Sequence, residues 1–191
     1  MRLLLATNNP KKTLEVRELL SPLNISIETP GQLGIDFEVE ETGTTFKANA
    51  TLKSEYLFKL TGIPCLADDS GICVKALGGR PGIYSARYGD PDLDDRGRAE
   101  YLLKELGSNP DRDAYYVCSL AFTTELGTEI IEEECHGKIH DFYDTEGRYG
   151  FGYDPIFFYP PYNTLFSRVP LHEKNIVSHR GKALRKFYES L

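Results

Sequence analysis

Cysteine is scarce in this chain, basic charge is in deficit, and long apolar runs are missing. The four cysteines, Cys65, Cys73, Cys118 and Cys135, form no C-x-x-C pair. That excludes a disulfide framework and reads as reduced, mostly buried thiols in a cytoplasmic protein. Cys135-His136 offers zinc-type donors, but adjacent ligands lack the usual zinc spacing. Near the start, Leu3-Leu4-Leu5-Ala6 is too short for the apolar region of a signal peptide and far too short to span a bilayer. The 22 basic residues against 29 acidic ones leave a net charge of −7, which argues against a nucleic-acid polymer as partner. A single nucleotide stays open, because it needs only a local cluster of cations. No repeat or low-complexity linker interrupts the chain. Its 191 residues, 40% of them apolar, suit one domain that could divide into two lobes.

What is there is concentrated in Ala67-Asp68-Asp69-Ser70-Gly71. An apolar run, Ile63 to Ala67, stops at two adjacent carboxylates, and a second run, Ile72-Cys73-Val74, follows. The spacing predicts a strand ending at the acidic pair. Buried carboxylates are costly unless a cation or metal partners them. Oxygen-only ligands suit Mg²⁺, with Mn²⁺ as the alternative, and such ions commonly act on phosphates.

Around that pair the chain alternates strands and helices. Leu3 to Ala6 reads as a buried strand, Asn9-Pro10 as an N-cap followed by proline at the first helical position, and Val16, Leu19, Leu20 and Leu23 as a helical stripe. Strand, polar turn, helix is an architecture whose backbone N–H groups hold anions. A second helix is expected from Thr44 or Thr45 to Leu60, with Phe46, Ala50, Leu57 and Leu60 facing inward. Asn49 and Lys53 fall on that same stripe. Lys53 is read either as a snorkelling side chain or as a lysine aimed into a cleft with the acidic pair. Leu102, Leu103 and Leu106 mark a third helix ending at Gly107. Tyr115–Phe122 and Thr128–Ile131 read as strands of a hairpin, Glu132-Glu133-Glu134 as a solvated edge, and Ser178 as the cap of a last helix striped by Leu184, Phe187, Tyr188 and Leu191. The fold class is α/β with an antiparallel portion.

Two further clusters carry chemistry. Glu41 lies ahead of the helix bearing Lys53; joined with Asp69 it could hold a Mg²⁺ that takes its remaining ligands from water and substrate phosphates. A water deprotonated by Asp69 would then be the nucleophile. Gly150-Phe151-Gly152-Tyr153-Asp154-Pro155 sets aromatics beside glycines, so that Phe151 or Tyr153 could stack on a base, or the segment could be a plain turn. Lys174, His179 and Arg180 add donors. His179 and Arg180 sit badly for a helix dipole, which points either to an acceptor-rich ligand or to simple exposure.

Taken in order, Ala6 to Lys12, Glu41-Thr42-Gly43, Ala67 to Gly71, Gly79 to Tyr88, Gly150 to Pro155 and Ser178 to Ala183 resemble the inosine triphosphate pyrophosphatase family, from end to end of the chain. The resemblance implies Mg²⁺-dependent hydrolysis of ITP, dITP and XTP to the monophosphate and pyrophosphate. It also implies a homodimer and an elongated mixed β-sheet with flanking helices, in two lobes around a central nucleotide cleft. Carried over by position, Thr7, Asn8, Asn9 and Lys12 would meet the phosphates, with Lys53 beside them. Glu41 and Asp69 would hold the metal, Asp68 would support it or serve as an alternate ligand, and Asp69 would accept the proton. Ser70 would touch substrate; Phe151, Gly152, Tyr153, Asp154, Lys174, His179 and Arg180 would form the base and sugar pocket. The chain departs from the family pattern at Lys11 and Ala48, in Glu146-Gly147-Arg148-Tyr149-Gly150, and at Arg168, where a glutamate is frequent.

Selectivity has a physical route. Inosine and xanthosine present an oxygen acceptor at C6, adenosine an amino donor. A site of fixed donors rejects the mismatched group by as much as ~10⁴–10⁵. Two other functions remain compatible with these residues: a phosphohydrolase of another nucleotide class, such as pyrimidine triphosphates, and a non-catalytic nucleotide-binding protein.

Overall fold

Three consecutive leucines with no exposed surface, Leu3, Leu4 and Leu5, make β1 (Arg2–Leu5) a strand covered on both faces. The structure, a computed structural model, describes residues 2–23 and 25–191. Parallel neighbours flank β1: β2 (Ser26–Glu28) in register Leu3↔Ile27, and β3 (Cys65–Val74) in register Leu5↔Leu66. Parallel pairing requires crossovers, and helices supply them. α1 (Pro10–Leu20) leads from β1 to β2, and α2 (Phe46–Thr61) precedes β3. Then come α3 (Asp95–Leu106), β4 (Asp113–Thr124), β5 (Gly127–Ile139), β6 (Phe157–Tyr159), β7 (Thr164–Leu165), α4 (Leu171–Val177) and α5 (His179–Ser190). The strands form one mixed sheet ordered β2-β1-β3-β4-β5-β6-β7, antiparallel from β5 through β7. Only Glu125-Leu126 joins β4 to β5, a turn only an antiparallel hairpin allows.

By contacts the chain divides into two compact units. The first comprises 1–69, 118–133 and 180–191; the second 70–117 and 134–179. Strand alternation sorts the first unit's core. Leu3, Leu5 and Leu66 pack with Val16 and Leu20 of α1 and Leu184 and Phe187 of α5. Leu4, Ala6, Cys65 and Ala67 pack on the opposite face with Leu57 of α2 and Phe37. Each fully buried leucine contributes roughly 1.5–3 kcal/mol. The second unit closes α3, through Ala99, Leu102 and Leu106, onto Ile72, Val74, Tyr116, Cys135, Phe157 and Phe166.

Several expectations need correction. β3 does not end at the acidic pair; it runs unbroken through Asp68-Asp69-Ser70-Gly71 to Val74. Its carboxylates have partners, so the ladder need not stop. The hairpin strands are longer than the hydrophobic pattern suggested, because exposed polar residues such as Glu132 and Glu134 continue β5. Leu60, Tyr188 and Leu191 are 56, 42 and 53% exposed: the last turns of α2 and α5 overhang their cores. A separate short helix, α4, precedes α5; Ser178 closes it and stands immediately before α5. Asn9 and Gly107 cap helices as expected, and Thr45, expected as a possible first residue of α2, is its N-cap. Among the described residues no helix is long and apolar enough to cross a membrane.

Candidate active site

The turn after β1 is built from its own side chains. Thr7 Oγ1 accepts from the Asn9 N–H at 3.1 Å, and Asn9 Oδ1 caps α1 by accepting from the Lys11 and Lys12 N–H groups at 2.9 and 3.3 Å. Asn8 Nδ2 donates to the Phe37 carbonyl at 2.7 Å. No acidic residue occupies the first turn of α1, so its positive dipole end and Lys12 stand together. Two residues past the last β1–β3 register pair, β3 brings in Asp68 and Asp69.

Adjacent residues of a strand point to opposite faces, and here that separates the two carboxylates. Asp68 shares its face with Leu66, toward α1 and α5. Lys12 Nζ is bonded to Asp68 Oδ1, Arg180 Nε donates to Oδ2 at 2.9 Å, and the Cys118 thiol donates to the same oxygen at 3.0 Å. Arg180 is bonded in turn to Glu15 of α1, and both are buried. Burial disfavours the Asp68 charge, but Arg180 and Lys12 outweigh it and hold the carboxyl well below its ordinary range. The same burial, with Asp68 beside it, pushes the Cys118 thiol well up, so it is an unreactive donor.

Asp69 shares its face with Ala67, toward α2. Lys53 donates to Asp69 Oδ1 at 3.1 Å, to Glu41 Oε1 at 2.9 Å and to the Asp68 carbonyl at 2.8 Å. Despite burial, Asp69 and Glu41 raise its pKa, so it stays charged. Asp69 Oδ2 is buried and has no hydrogen-bond partner among the described residues. Burial pushes the Asp69 carboxyl up; Lys53 and Lys12 pull against it, and Glu41 adds to the rise. Among the described ion pairs, four carboxylates (Glu15, Glu41, Asp68, Asp69) thus face three cations (Lys12, Lys53, Arg180).

The Glu41 loop is fixed from the same helix. Asn49, fully buried one turn before Lys53, accepts the Gly43 N–H at 2.8 Å. A Cβ on Gly43 would lie 2.5 Å from Asn49 Oδ1 and 2.8 Å from Ala48 Cβ. Gly43→Ala is therefore expected to destabilise the protein by about 1–3 kcal/mol through overpacking. Thermal unfolding checks this, and an unchanged Tm would show that the loop is not gripped there.

In the second unit, Asp154 is the hub. Its Oδ2 accepts from the Phe151 N–H at 2.9 Å and from Lys174 Nζ at 2.6 Å; its Oδ1 accepts from the Tyr116 hydroxyl at 3.2 Å. Lys174 Nζ also lies 5.3 Å from the centre of the half-buried Phe151 ring, a cation–π distance. His179 stacks on Tyr116 with ring centres 4.6 Å apart. Burial, reinforced by Asp154, pushes the Tyr116 phenol well above its ordinary value. Gly152 N–H donates to Asp95 at 3.2 Å, and Tyr153 is buried with its hydroxyl on the Ser85 carbonyl at 2.7 Å.

The Ham1 family model matches residues 3–190. The chain belongs to the Ham1 family. It is 50% identical over 190 residues to the dITP/XTP pyrophosphatase of Leptospira interrogans serovar copenhageni, covering all of this chain and 96% of that protein. The Ralstonia nicotianae dITP/XTP pyrophosphatase is 43% identical over 197 residues, with the same coverage of 100% and 96%. Among solved structures, a HAM1 protein from Coxiella burnetii superposes with a TM-score of 0.90 at 35% identity, covering all of this chain and 98% of that one. The Staphylococcus aureus Ham1 protein gives 0.88 at 36%, covering 100% and 99%.

The Ham1 fold brings Thr7, Asn8, Asn9, Lys12, Glu41, Lys53, Asp68 and Asp69 together in its first unit. Phe151, Gly152, Tyr153, Asp154, Lys174 and His179 belong to the second. Arg180, expected with the base group, instead lies on Asp68 and Glu15. Tyr153, offered as a stacking ring, is a core residue; Phe151 is the accessible one. Ser70 follows Asp69 on β3 and points to the opposite face. Sequence reading missed Glu15, Cys118 and Tyr116. Glu15 was detectable as an acid four residues before Leu19 on the inward stripe of α1, and Tyr116 and Cys118 as alternate residues of β4. His136 stands exposed beside Glu134, and among the described residues no three His, Cys, Asp or Glu side chains converge as a metal group.

Proposed function

We propose that this Ham1 protein hydrolyses the non-standard purine nucleotides ITP, dITP and XTP to the nucleoside monophosphate and pyrophosphate, using Mg²⁺, with Mn²⁺ as a substitute. One observation carries the reading: the buried Asp69 Oδ2, which has no hydrogen-bond partner among the described residues, beside Glu41 and Lys53. The close relatives named dITP/XTP pyrophosphatase support the substrate class. Two carboxylates, with no third His, Cys, Asp or Glu converging on them among the described residues, fit an ion that completes its shell from water and phosphate oxygens. Their excess negative charge favours a divalent cation. When bound, that ion would neutralise charge building on the phosphates.

The chain's own groups would do the rest. Glu41 and Asp69 would hold the cation, and Asp69, its affinity for protons raised by burial, would accept the proton of the attacking water. Lys12, Lys53 and the α1 N-terminus with Thr7, Asn8 and Asn9 would stabilise the phosphates and the leaving pyrophosphate. Asp68, saturated by Lys12, Arg180 and Cys118, would position Lys12 rather than bind metal. Phe151 would stack on the base, with Gly152, Tyr153, Asp154, Lys174 and His179 shaping its pocket, and Ser70 would meet substrate. In this reading the protein is a cytoplasmic homodimer.

The test is steady-state hydrolysis of ITP, XTP, GTP, ATP and pyrimidine triphosphates with Mg²⁺ and with EDTA, measuring orthophosphate and pyrophosphate separately. Pyrophosphate from ITP and XTP, abolished by EDTA, is the expected result. Orthophosphate as sole product, or a preference for pyrimidines, would overturn the reading.

A further inference from the structure

Residues 144–150 have no regular structure, yet they are tied down at every turn. The Asp144 N–H donates to the Pro155 carbonyl at 3.0 Å, and the Arg148 and Tyr149 N–H groups donate to the Ser167 carbonyl at 2.9 and 3.0 Å. The Asp144 carboxylate fills the loop and is 4% exposed. Its Oδ1 accepts from Arg168 Nη2 at 2.8 Å and from the Glu146 N–H at 3.1 Å. Its Oδ2 accepts from Arg168 Nε at 2.9 Å and from Ser167 Oγ at 2.7 Å. This is a two-pronged guanidinium–carboxylate pair with two further donors, the strong geometry for such contacts. Arg168 and Ser167 hold the Asp144 carboxyl below its ordinary range, so it is charged at neutral pH.

The loop leaves no slack on the way to Phe151. A Cβ on Gly147 would lie 2.4 Å from Ser167 Cβ, and one on Gly150 (φ +75°) would lie 2.1 Å from Asp154 Oδ2. That same Asp154 oxygen accepts the Phe151 N–H. The path from Asp144 to the Phe151 ring is therefore a sequence of close contacts and short bonds.

We propose that Asp144 is a positioning residue for the nucleobase end of the site, anchoring the 144–150 loop on Ser167-Arg168 so that the Phe151 ring is presented in place before substrate arrives. The inference rests on Phe151 being the ring that meets the base. Ordering a loop in advance removes a cost from binding, not from the chemical step. Loss of the anchor is therefore a KM effect confined to ligands that carry a base.

The test compares Asp144→Asn with wild type, using ITP as substrate and inorganic triphosphate, which has no base, as a competing inhibitor. For the variant, KM for ITP is expected to rise by about tenfold, with kcat within about twofold and an unchanged inhibition constant for triphosphate. Arg168→Gln, at a half-exposed side chain, is the second variant and is expected to raise KM by about threefold if Asp144→Asn does not fold. An unchanged KM, or a parallel rise in the triphosphate constant that marks general loosening, overturns the inference. Wild-type protein that leaves ITP intact overturns the functional reading as well, whereas active wild type with unchanged variants overturns this inference alone.

Discussion

Asp69→Asn is expected to lower kcat for ITP by about 10³-fold or more while the protein stays folded. Asparagine has the shape of aspartate, and its carbonyl can still accept from Lys53 as Asp69 Oδ1 does at 3.1 Å. What it removes is the negative charge on the buried oxygen that has no hydrogen-bond partner among the described residues, and with it the ability to take a proton. Stability should move the other way. Four carboxylates face three cations in this cluster, and Glu41 already raises the Asp69 pKa. Removing one charge relieves that excess, so Tm in EDTA is expected to equal or exceed that of wild type, a site held at some expense of stability. Steady-state kinetics and thermal unfolding on one preparation check both halves. A variant retaining a tenth of wild-type kcat would remove Asp69 from the chemistry.

The second large effect falls on the other face of β3. Arg180→Met is expected to destabilise the protein by about 3–5 kcal/mol, because Asp68 and Glu15 would be left buried without their shared cation. For a chain of this length that is a drop in Tm of about 10 °C or more. Arg180→Lys is not expected to rescue, since a single ammonium cannot reproduce the separate guanidinium donors, Nε to Asp68 and Nη1 to Glu15. The pH dependence has a definite sign. In wild type the folded-state pKa of Asp68 is depressed. Its contribution is therefore full above the unfolded carboxylate range, near ~3.9, and is lost as pH falls through the folded value. Without Arg180, only Lys12 opposes the effect of burial on Asp68, so its folded-state pKa moves up and the deficit is largest at neutral pH and narrows as pH falls toward ~4. A Tm difference under 2 °C at pH 7, or one that widens on acidification, would contradict this account.

Local signals in the sequence were sufficient for the helix ends. Asn9-Pro10, Thr45 and Gly107 each act through bonds to their own neighbours, so a reading of neighbours finds them. Lys53 was also visible as an inward lysine, although only the structure separates snorkelling from engagement: its ammonium touches Glu41, Asp68 and Asp69. What could not be read is long-range pairing. Arg180 and Asp68 are 112 residues apart, and nothing near Arg180 reveals that β3 will carry its counter-ion. The same blindness affected the departures from the family pattern. Glu146 and Arg168 were seen as separate oddities, yet they form an ion pair at 3.2 Å, with Asp144 completing it. The apparent strand end at Asp68 arose because carboxylates resemble turn residues when their cations lie elsewhere in the chain.

The unbroken course of β3 through its acidic pair has a consequence for how the gene can change. Because partner choice depends on which side of the ribbon a residue falls, the site is sensitive to parity. One codon inserted between Cys65 and Asp68 would hand the α2 lysine the wrong carboxylate and turn Asp69 toward Arg180. A second insertion would restore the facing, though with both carboxylates displaced by about 6–7 Å along the strand. Asp68 and Asp69 thus behave as a two-letter word whose meaning depends on reading phase, and lineages should vary this strand by exchange of residues, not by odd changes in its length.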